Sequence, residues 1–392
     1  MMMPLKDLMI NYETHPGFPS STTEWAFNQQ ALDRFNMIYK NLETGSRPKE
    51  WSQLLDIIPS IFDTFRSNNN DSYEDAFISE LQVAIESMVK SQIKFYTSCL
   101  RSKKHRLFEL RSQNKCEIKG AISPLTTSKI LELIDPEFRQ LLKAASQGKT
   151  DRQSLSLNGG SKIRDLIREL NREFKKNGVF DQLSRVNPGP IKVIGAAIEL
   201  SVPHAEWWAH SDDRVDAPKT LYAHLDESID NPKAIIYLTD VNKTNGPFSY
   251  YPSIYENLNL TGMQSLIGRC VNKVGSSQNS FLHDAYADSI RRTSSLLFRD
   301  HFMKLPSQFR FNSHFGWEVT PGSDLECFMI KNEVTVIGGR GTFMVFDGAH
   351  TVHRGGIVQE NYRLAIQVIF GTMGLGDTIR RLLRFVGIKI RS

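Results

Sequence analysis

Cysteine is scarce in this sequence, and its spacing lacks the pattern of a metal cluster. Four cysteines occur in 392 residues, at positions 99, 116, 270 and 327, and no two of them form a C-x-x-C pair. Neither a zinc cluster nor a disulfide framework is therefore indicated. We expect a protein of the reducing cytoplasm, because domains that depend on disulfides usually have dense, regularly spaced cysteines.

Long apolar runs and a one-sided charge are also missing. No stretch reaches the roughly 18 uninterrupted apolar residues of a membrane-spanning helix, and residues 1–7 turn polar before the apolar core of a signal peptide forms. The formal net charge of +5 is small for this length, so it does not by itself indicate a nucleic-acid partner. With 40% hydrophobic and 23% charged residues, the composition is typical of a soluble globular protein.

The first chemically informative stretch is residues 221–227, which read LYAHLDE. Side chains repeat every second residue along an extended segment, so His224 and Asp226 are predicted to point the same way. One imidazole and one carboxylate then meet at a single point. These are two of the three ligands of a 2-His-1-carboxylate facial triad, which holds non-haem Fe(II) and leaves coordination positions open.

A third ligand is available far downstream. Residues 341–356 read GTFMVFDGAHTVHRGG, which predicts a strand followed by a turn and a histidine. A second predicted strand, residues 361–370, contains Arg363 near its start. His353 is therefore a candidate to complete the metal site.

The order of these motifs resembles that of the Fe(II)/2-oxoglutarate-dependent dioxygenases, and within them the phytanoyl-CoA dioxygenase-like family. The shared order is H-x-D, an apolar strand (residues 234–240), an N-G-P turn (residues 245–247), a long insertion, G-x-x-x-x-F, H-x-G and a distal arginine. The matches run from about residue 190 to residue 371. A single H-x-D carries little information, whereas the ordered set is fairly specific.

This resemblance implies an α+β fold with a double-stranded β-helix (jelly-roll) core, and the cofactors Fe(II), 2-oxoglutarate and O2. Arg363 would bind the distal carboxylate of 2-oxoglutarate, because a guanidinium forms paired hydrogen bonds with a carboxylate. Some branches have Ser or Thr two residues after this arginine, where this chain has Ala365, so Tyr222 or Thr239 is expected to supply a second donor. Halogenating relatives replace the ligand aspartate with a small residue; the presence of Asp226 favours hydroxylation.

Two rival ligands must be weighed. His210 and Asp212 form another H-x-D, but a charged loop follows them rather than a strand. His350 competes with His353, and we prefer His353 because it has the H-x-G context and lies ten residues before the arginine.

The chain is predicted to have three parts. Residues 1–155 form a mainly helical region packed on the core, in which apolar residues from Phe77 to Ile93 recur at helical spacing. Residues 156–372 form the jelly-roll domain, with a helix over 163–174, a strand over 191–200 and a partly helical insertion at about 256–330. Residues 373–392 form a basic amphipathic tail.

The substrate is the least determined element. Trp207, Trp208 and His210 can line a pocket or pack against the insertion. Residues 376–392 can dock on the barrel or lie on an anionic membrane surface, which would favour a lipid or lipid-linked glycan over another small molecule. A jelly-roll metal protein without oxygenase activity and a peripheral membrane scaffold remain alternative functions.

Overall fold

The computed structural model describes most of the chain. The described residues are 25–63, 66–67, 72–102, 117–147, 154–155, 160–185, 187–203, 219–252, 254–282 and 305–372. Trp207, Trp208, His210, Asp212 and the predicted tail 373–392 lie outside them, as do residues 283–304 of the stretch 279–304 that the sequence predicts as helical.

Helices dominate the first part of the chain. They are α1 (Gln29–Glu43), α2 (Gln53–Phe62), α3 (Ser72–Arg101), α4 (Pro124–Ser146), α5 (Gly160–Lys176) and α6 (Val179–Leu183). The helices predicted around residues 77–93 and 163–174 are confirmed as α3 and α5. Asn28 caps α1 by accepting a hydrogen bond from the Ala31 N–H at 3.0 Å, which satisfies a donor that the first helical turn leaves open.

The remaining elements are mainly strands. They are β1 (Trp25–Ala26), β2 (Arg66–Ser67), β3 (Ile118–Ala121), β4 (Ser154–Leu155), β5 (Ile191–Ser201), β6 (Lys233–Tyr237), β7 (Phe248–Tyr251), β8 (Val334–Val336), β9 (Thr342–Phe346), β10 (Val352–Arg354) and β11 (Arg363–Thr372). A six-stranded sheet has the order β3-β9-β6-β11-β5-β4, and a three-stranded sheet has the order β10-β7-β8. β1 and β2 form a separate two-stranded antiparallel sheet.

The strand pairing is nested in the way that defines a jelly roll. β7 pairs with β8, β6 with β9, and β5 with β11, all antiparallel. His224 forms an antiparallel bridge to His353 of β10. In the nested order, this bridge lies between the β6–β9 pair and the β5–β11 pair. Successive pairs alternate between the two sheets, so the protein is an α+β fold with a jelly-roll core, as the sequence predicted.

Alternating side chains separate the two faces of the large sheet. Leu364 and Ile366 of β11 face the helices in the largest apolar cluster. Ala365 faces the other sheet, together with Tyr237 of β6 and Met344 of β9. By the same alternation, Arg363 faces the space between the sheets.

Helices occupy the described part of the predicted insertion. They are α7 (Ile254–Asn257), α8 (Gly262–Cys270) and α9 (Asp324–Asn332). α8 packs on α1 and α3 within the largest apolar cluster, so it lies between the N-terminal helices and the barrel. Short strands also occur in the range predicted as mainly helical, and two of them, β3 and β4, extend the large sheet by pairing with β9 and β5.

Among the described residues, no helix combines the length and the hydropathy needed to cross a bilayer.

Candidate metal centre

Three predicted ligands converge at one edge of the jelly roll. The candidate ligand atoms of His224, Asp226 and His353 all lie within 4.8 Å of one another. The two histidines are held by their backbones: the His224 N–H donates to the His353 carbonyl at 2.9 Å, and the His353 N–H donates to the His224 carbonyl at 3.0 Å. This bridge brings together residues that are 129 positions apart in the sequence.

Both imidazole rings are oriented by backbone carbonyls. His224 Nδ1 lies 2.8 Å from the Tyr222 carbonyl oxygen, and His353 Nδ1 lies 2.9 Å from that of Thr351. A carbonyl oxygen can only accept, so Nδ1 carries the proton in each ring. The lone pair of each neutral ring is then on Nε2, as a metal ligand requires.

One carboxylate oxygen of Asp226 accepts a hydrogen bond from a lysine, and the other has no hydrogen-bond partner among the described residues. Its Oδ1 accepts from Lys233 Nζ at 2.5 Å, while Oδ2 is buried, has no hydrogen-bond partner in the described chain and lies 3.8 Å from His353 Nε2. Gly348 leaves room for this oxygen, because a Cβ at that position would overlap Asp226 Oδ2. A bound cation would satisfy the buried oxygen, which is otherwise energetically unfavourable.

The protonation states suit a divalent cation. Burial lowers the pKa of His353 to about 3 and also lowers that of His224, so both rings are neutral at neutral pH. Burial alone would raise the pKa of Asp226, but nearby groups, among them the Lys233 ammonium, lower it below its ordinary value. The two neutral imidazoles and one carboxylate therefore fit Fe(II), although Zn(II) accepts the same donor atoms.

Arg363 has the buried position that an anion-binding guanidinium needs. Its Nη2 donates to Ser201 Oγ at 3.0 Å, and its Nη1 donates to the Gly246 carbonyl. Nε is buried and has no hydrogen-bond partner among the described residues. The Nε–H therefore stays available to a ligand carboxylate between the sheets, and each Nη nitrogen has a second N–H besides the one already used.

Other predicted site residues have less direct placements. Tyr222 is half-buried with a left-handed backbone (φ 71°), within a turn rather than the regular extended segment that the sequence predicted. Thr239 Oγ1 accepts from the Leu364 N–H at 3.2 Å. His350 lies outside the triad, with its Nδ1 3.0 Å from Asp347 Oδ2. A second donor role for Tyr222 or Thr239 stays a prediction.

Sequence reasoning missed four residues around the site. Lys233, Ser201, His314 and Arg269 belong to no motif that we recognised; the His314 ring lies parallel to that of His224, with centroids 5.0 Å apart. Only Ser201 had a usable signal, since it directly follows the strand predicted over residues 191–200, which pairs with the arginine strand.

Comparisons with known proteins show structural similarity to non-haem iron enzymes. No protein-family model and no curated protein matches the chain. AviO1 from Streptomyces viridochromogenes Tue57 is 12% identical, with 67% of this chain and 91% of AviO1 aligned at a TM-score of 0.33.

Two further solved structures are similar at the same level. The non-heme α-ketoglutarate-dependent epimerase SnoN from nogalamycin biosynthesis is 13% identical, over 68% of this chain and 83% of SnoN, at a TM-score of 0.33. HygX from Streptomyces hygroscopicus, solved with iron bound, is 12% identical, over 68% of this chain and 85% of HygX, at a TM-score of 0.32. Similarity of this degree identifies neither a substrate nor a reaction for this chain.

Proposed function

We propose that the protein is a non-haem iron oxygenase that uses 2-oxoglutarate and O2 as co-substrates. The observation that carries this proposal is a pair of buried atoms without hydrogen bonds among the described residues, Asp226 Oδ2 and Arg363 Nε. Asp226 Oδ2 would coordinate a metal ion, and Arg363 Nε would donate a hydrogen bond to a carboxylate. They belong to the two residues whose predicted partners are the iron and the distal end of 2-oxoglutarate.

The residues of the proposed site have separate roles. His224, Asp226 and His353 hold the iron on one side, and Arg363 binds the far carboxylate of the co-substrate. The rings of Phe346 and Phe248 lie 4.7 Å and 5.8 Å from the His353 ring, centroid to centroid, and exclude water there. Iron bound at this site would supply O2 activation, with one oxygen atom entering succinate and the other the substrate as CO2 is released.

Within this class, we propose membership of the phytanoyl-CoA dioxygenase-like family and hydroxylation of a C–H bond. The motif order supports the family, and the presence of Asp226 supports hydroxylation. We propose a small-molecule, lipid or glycan-linked substrate, with Trp207, Trp208 and His210 as candidate contacts, and a cytoplasmic location.

The test is uncoupled turnover of 2-oxoglutarate. Purified protein is loaded anaerobically with Fe(II), exposed to O2 with ascorbate, and assayed for succinate. We expect succinate from the wild-type protein and a loss of at least about 100-fold in His353→Ala, because one of three metal ligands is gone.

His350→Ala is the matched control. This histidine is also buried and lies three residues earlier, but its ring is engaged by Asp347, so its variant should retain turnover. Turnover in His353→Ala together with loss in His350→Ala would reverse the ligand assignment. Tight metal binding by the wild-type protein without any succinate would instead favour a metal protein that is not an oxygenase.

A further inference from the structure

A buried arginine outside the proposed ligand set contacts the backbone that carries the ligands. Arg269 lies in α8 and is 3% exposed. Its Nη1 donates to the Asp226 carbonyl at 3.1 Å, and its Nη2 donates to the Ala349 carbonyl at 2.9 Å. One guanidinium therefore joins two segments that are 123 residues apart in the sequence.

These two segments meet at Asp226 itself. The Asp226 N–H donates to the Gly348 carbonyl at 2.7 Å, so the peptide groups on both sides of this ligand are tied, directly or through Arg269, to residues 348–349. Gly348 is also the residue that leaves space for Asp226 Oδ2. The position of the carboxylate relative to both imidazoles thus depends on how these two loops are held together.

The other side of Arg269 is supported by the N-terminal helix. Burial lowers the pKa of Arg269, but its interactions with Tyr255 and with Tyr39 and Glu43 of α1 raise that pKa above its ordinary value. The Met263 N–H at the start of α8 donates to Asn36 Oδ1 of α1 at 2.9 Å. α8, which carries Arg269, is therefore fixed in turn by its contacts with α1.

We propose that Arg269 is a positioning residue of the metal centre, which sets the Asp226 carboxylate relative to the two histidines and connects that geometry to helix α1. This inference rests on the proposed metal site. A guanidinium suits the task because its planar fork donates to two carbonyls at once, whereas an ammonium is a single point charge.

A merely structural role is the competing explanation, so the test measures metal geometry separately from stability. Arg269→Met and Arg269→Lys are compared with Arg310→Met. Arg310 is also buried (7% exposed) and donates to a backbone carbonyl, that of Leu305. The probe is Co(II) added anaerobically, read by its visible absorption and titrated for affinity, with thermal unfolding of each apo-protein alongside.

We expect both Met variants to unfold at lower temperature, but only the Arg269 substitutions to change the Co(II) spectrum and weaken binding. The expected loss of affinity is about 10- to 100-fold, as for other residues that orient metal ligands, and Arg269→Lys should recover it only in part. Wild-type Co(II) spectra and affinity in Arg269→Met would overturn the proposal.

If Arg269→Met does not fold, Arg269→Lys alone is measured in the same way, and a wild-type spectrum and affinity there would also overturn the proposal. Failure of the wild-type protein to bind Co(II) would refute the metal site itself. The two failures are therefore distinguishable.

Discussion

The metal-binding end and the arginine end of the proposed site differ in secondary structure. Arg363 lies in a ten-residue strand that is hydrogen-bonded to β5 and β6 on its two sides. His224 and Asp226 lie in a segment with one β-bridge and no regular strand. Their geometry depends on contacts with residues far away in the sequence, such as Gly348 and Arg269.

This difference has a mechanical consequence. A strand paired on both sides holds its side chains through many backbone hydrogen bonds, so single substitutions nearby change its position little. An irregular segment has fewer such restraints, and individual side chains determine its geometry. We therefore expect metal binding to be sensitive to its neighbours, and co-substrate binding to depend mainly on the arginine itself.

The strongest test of the metal end is Gly348→Ala. The added Cβ would overlap Asp226 Oδ2, so either the carboxylate or the loop must move. We expect a loss of at least about 100-fold in Fe(II) affinity, beyond the usual effect of a substitution outside the ligand set. Fe(II) titration measures it.

Gly195→Ala is the control for that experiment. A Cβ there meets nothing closer than 3.8 Å, and affinity should stay at the wild-type level. Equal, unchanged affinity in both alanine variants would show that the metal segment tolerates local crowding as well as a regular strand does.

At the arginine end, the informative change is Arg363→Lys. Each hydrogen bond to a charged group contributes about 1.5 to 3 kcal/mol, so loss of one prong of a bidentate contact should weaken 2-oxoglutarate binding by roughly 10- to 150-fold. Fe(II) binding should persist. Isothermal titration of the Fe(II)-loaded protein, without O2, measures the affinity.

Arg354→Lys provides the comparison for this substitution. Arg354 donates two hydrogen bonds to Glu333, at 2.9 and 2.7 Å, and has no part in the proposed site. If both lysine variants bind 2-oxoglutarate like the wild-type protein, Arg363 does not bind the co-substrate.

The smallest expected effect concerns the pH dependence of metal binding. Asp226 must be ionised to bind a metal, and Lys233 helps to keep its pKa low against the opposing effect of burial. In Lys233→Met the pKa of Asp226 should rise, so protons should compete with the metal at a higher pH than in the wild-type protein. Metal affinity measured on the acid side of neutrality should show this shift.

Lys273→Met is the matched control, since Lys273 pairs with the adjacent Glu227 at 3.2 Å and not with the ligand. Superimposable pH profiles for Lys233→Met and the wild-type protein would mean that the ion pair has no role in keeping Asp226 charged.

Local pattern by itself determined much of this protein. The strands around residues 191–200 and 363–370 alternate or concentrate β-branched and aromatic residues, and α3 and α5 have apolar residues at helical spacing, so these elements were predictable from short-range physics. The spacing of His224 and Asp226 also predicted a shared direction. The order of the motifs along the chain was enough to select His353 and Arg363 for the same site.

Only the tertiary structure decided how that site is held together. Lys233, Ser201 and Arg269 reach the site from separate elements and have no distinctive sequence context, because their roles arise from the nesting of strands and the docking of α8. The turn at Tyr222, with its left-handed backbone, likewise reflects the bridge between His224 and His353. The candidate ligands were predictable from local sequence, whereas their arrangement required contacts between residues more than 120 positions apart.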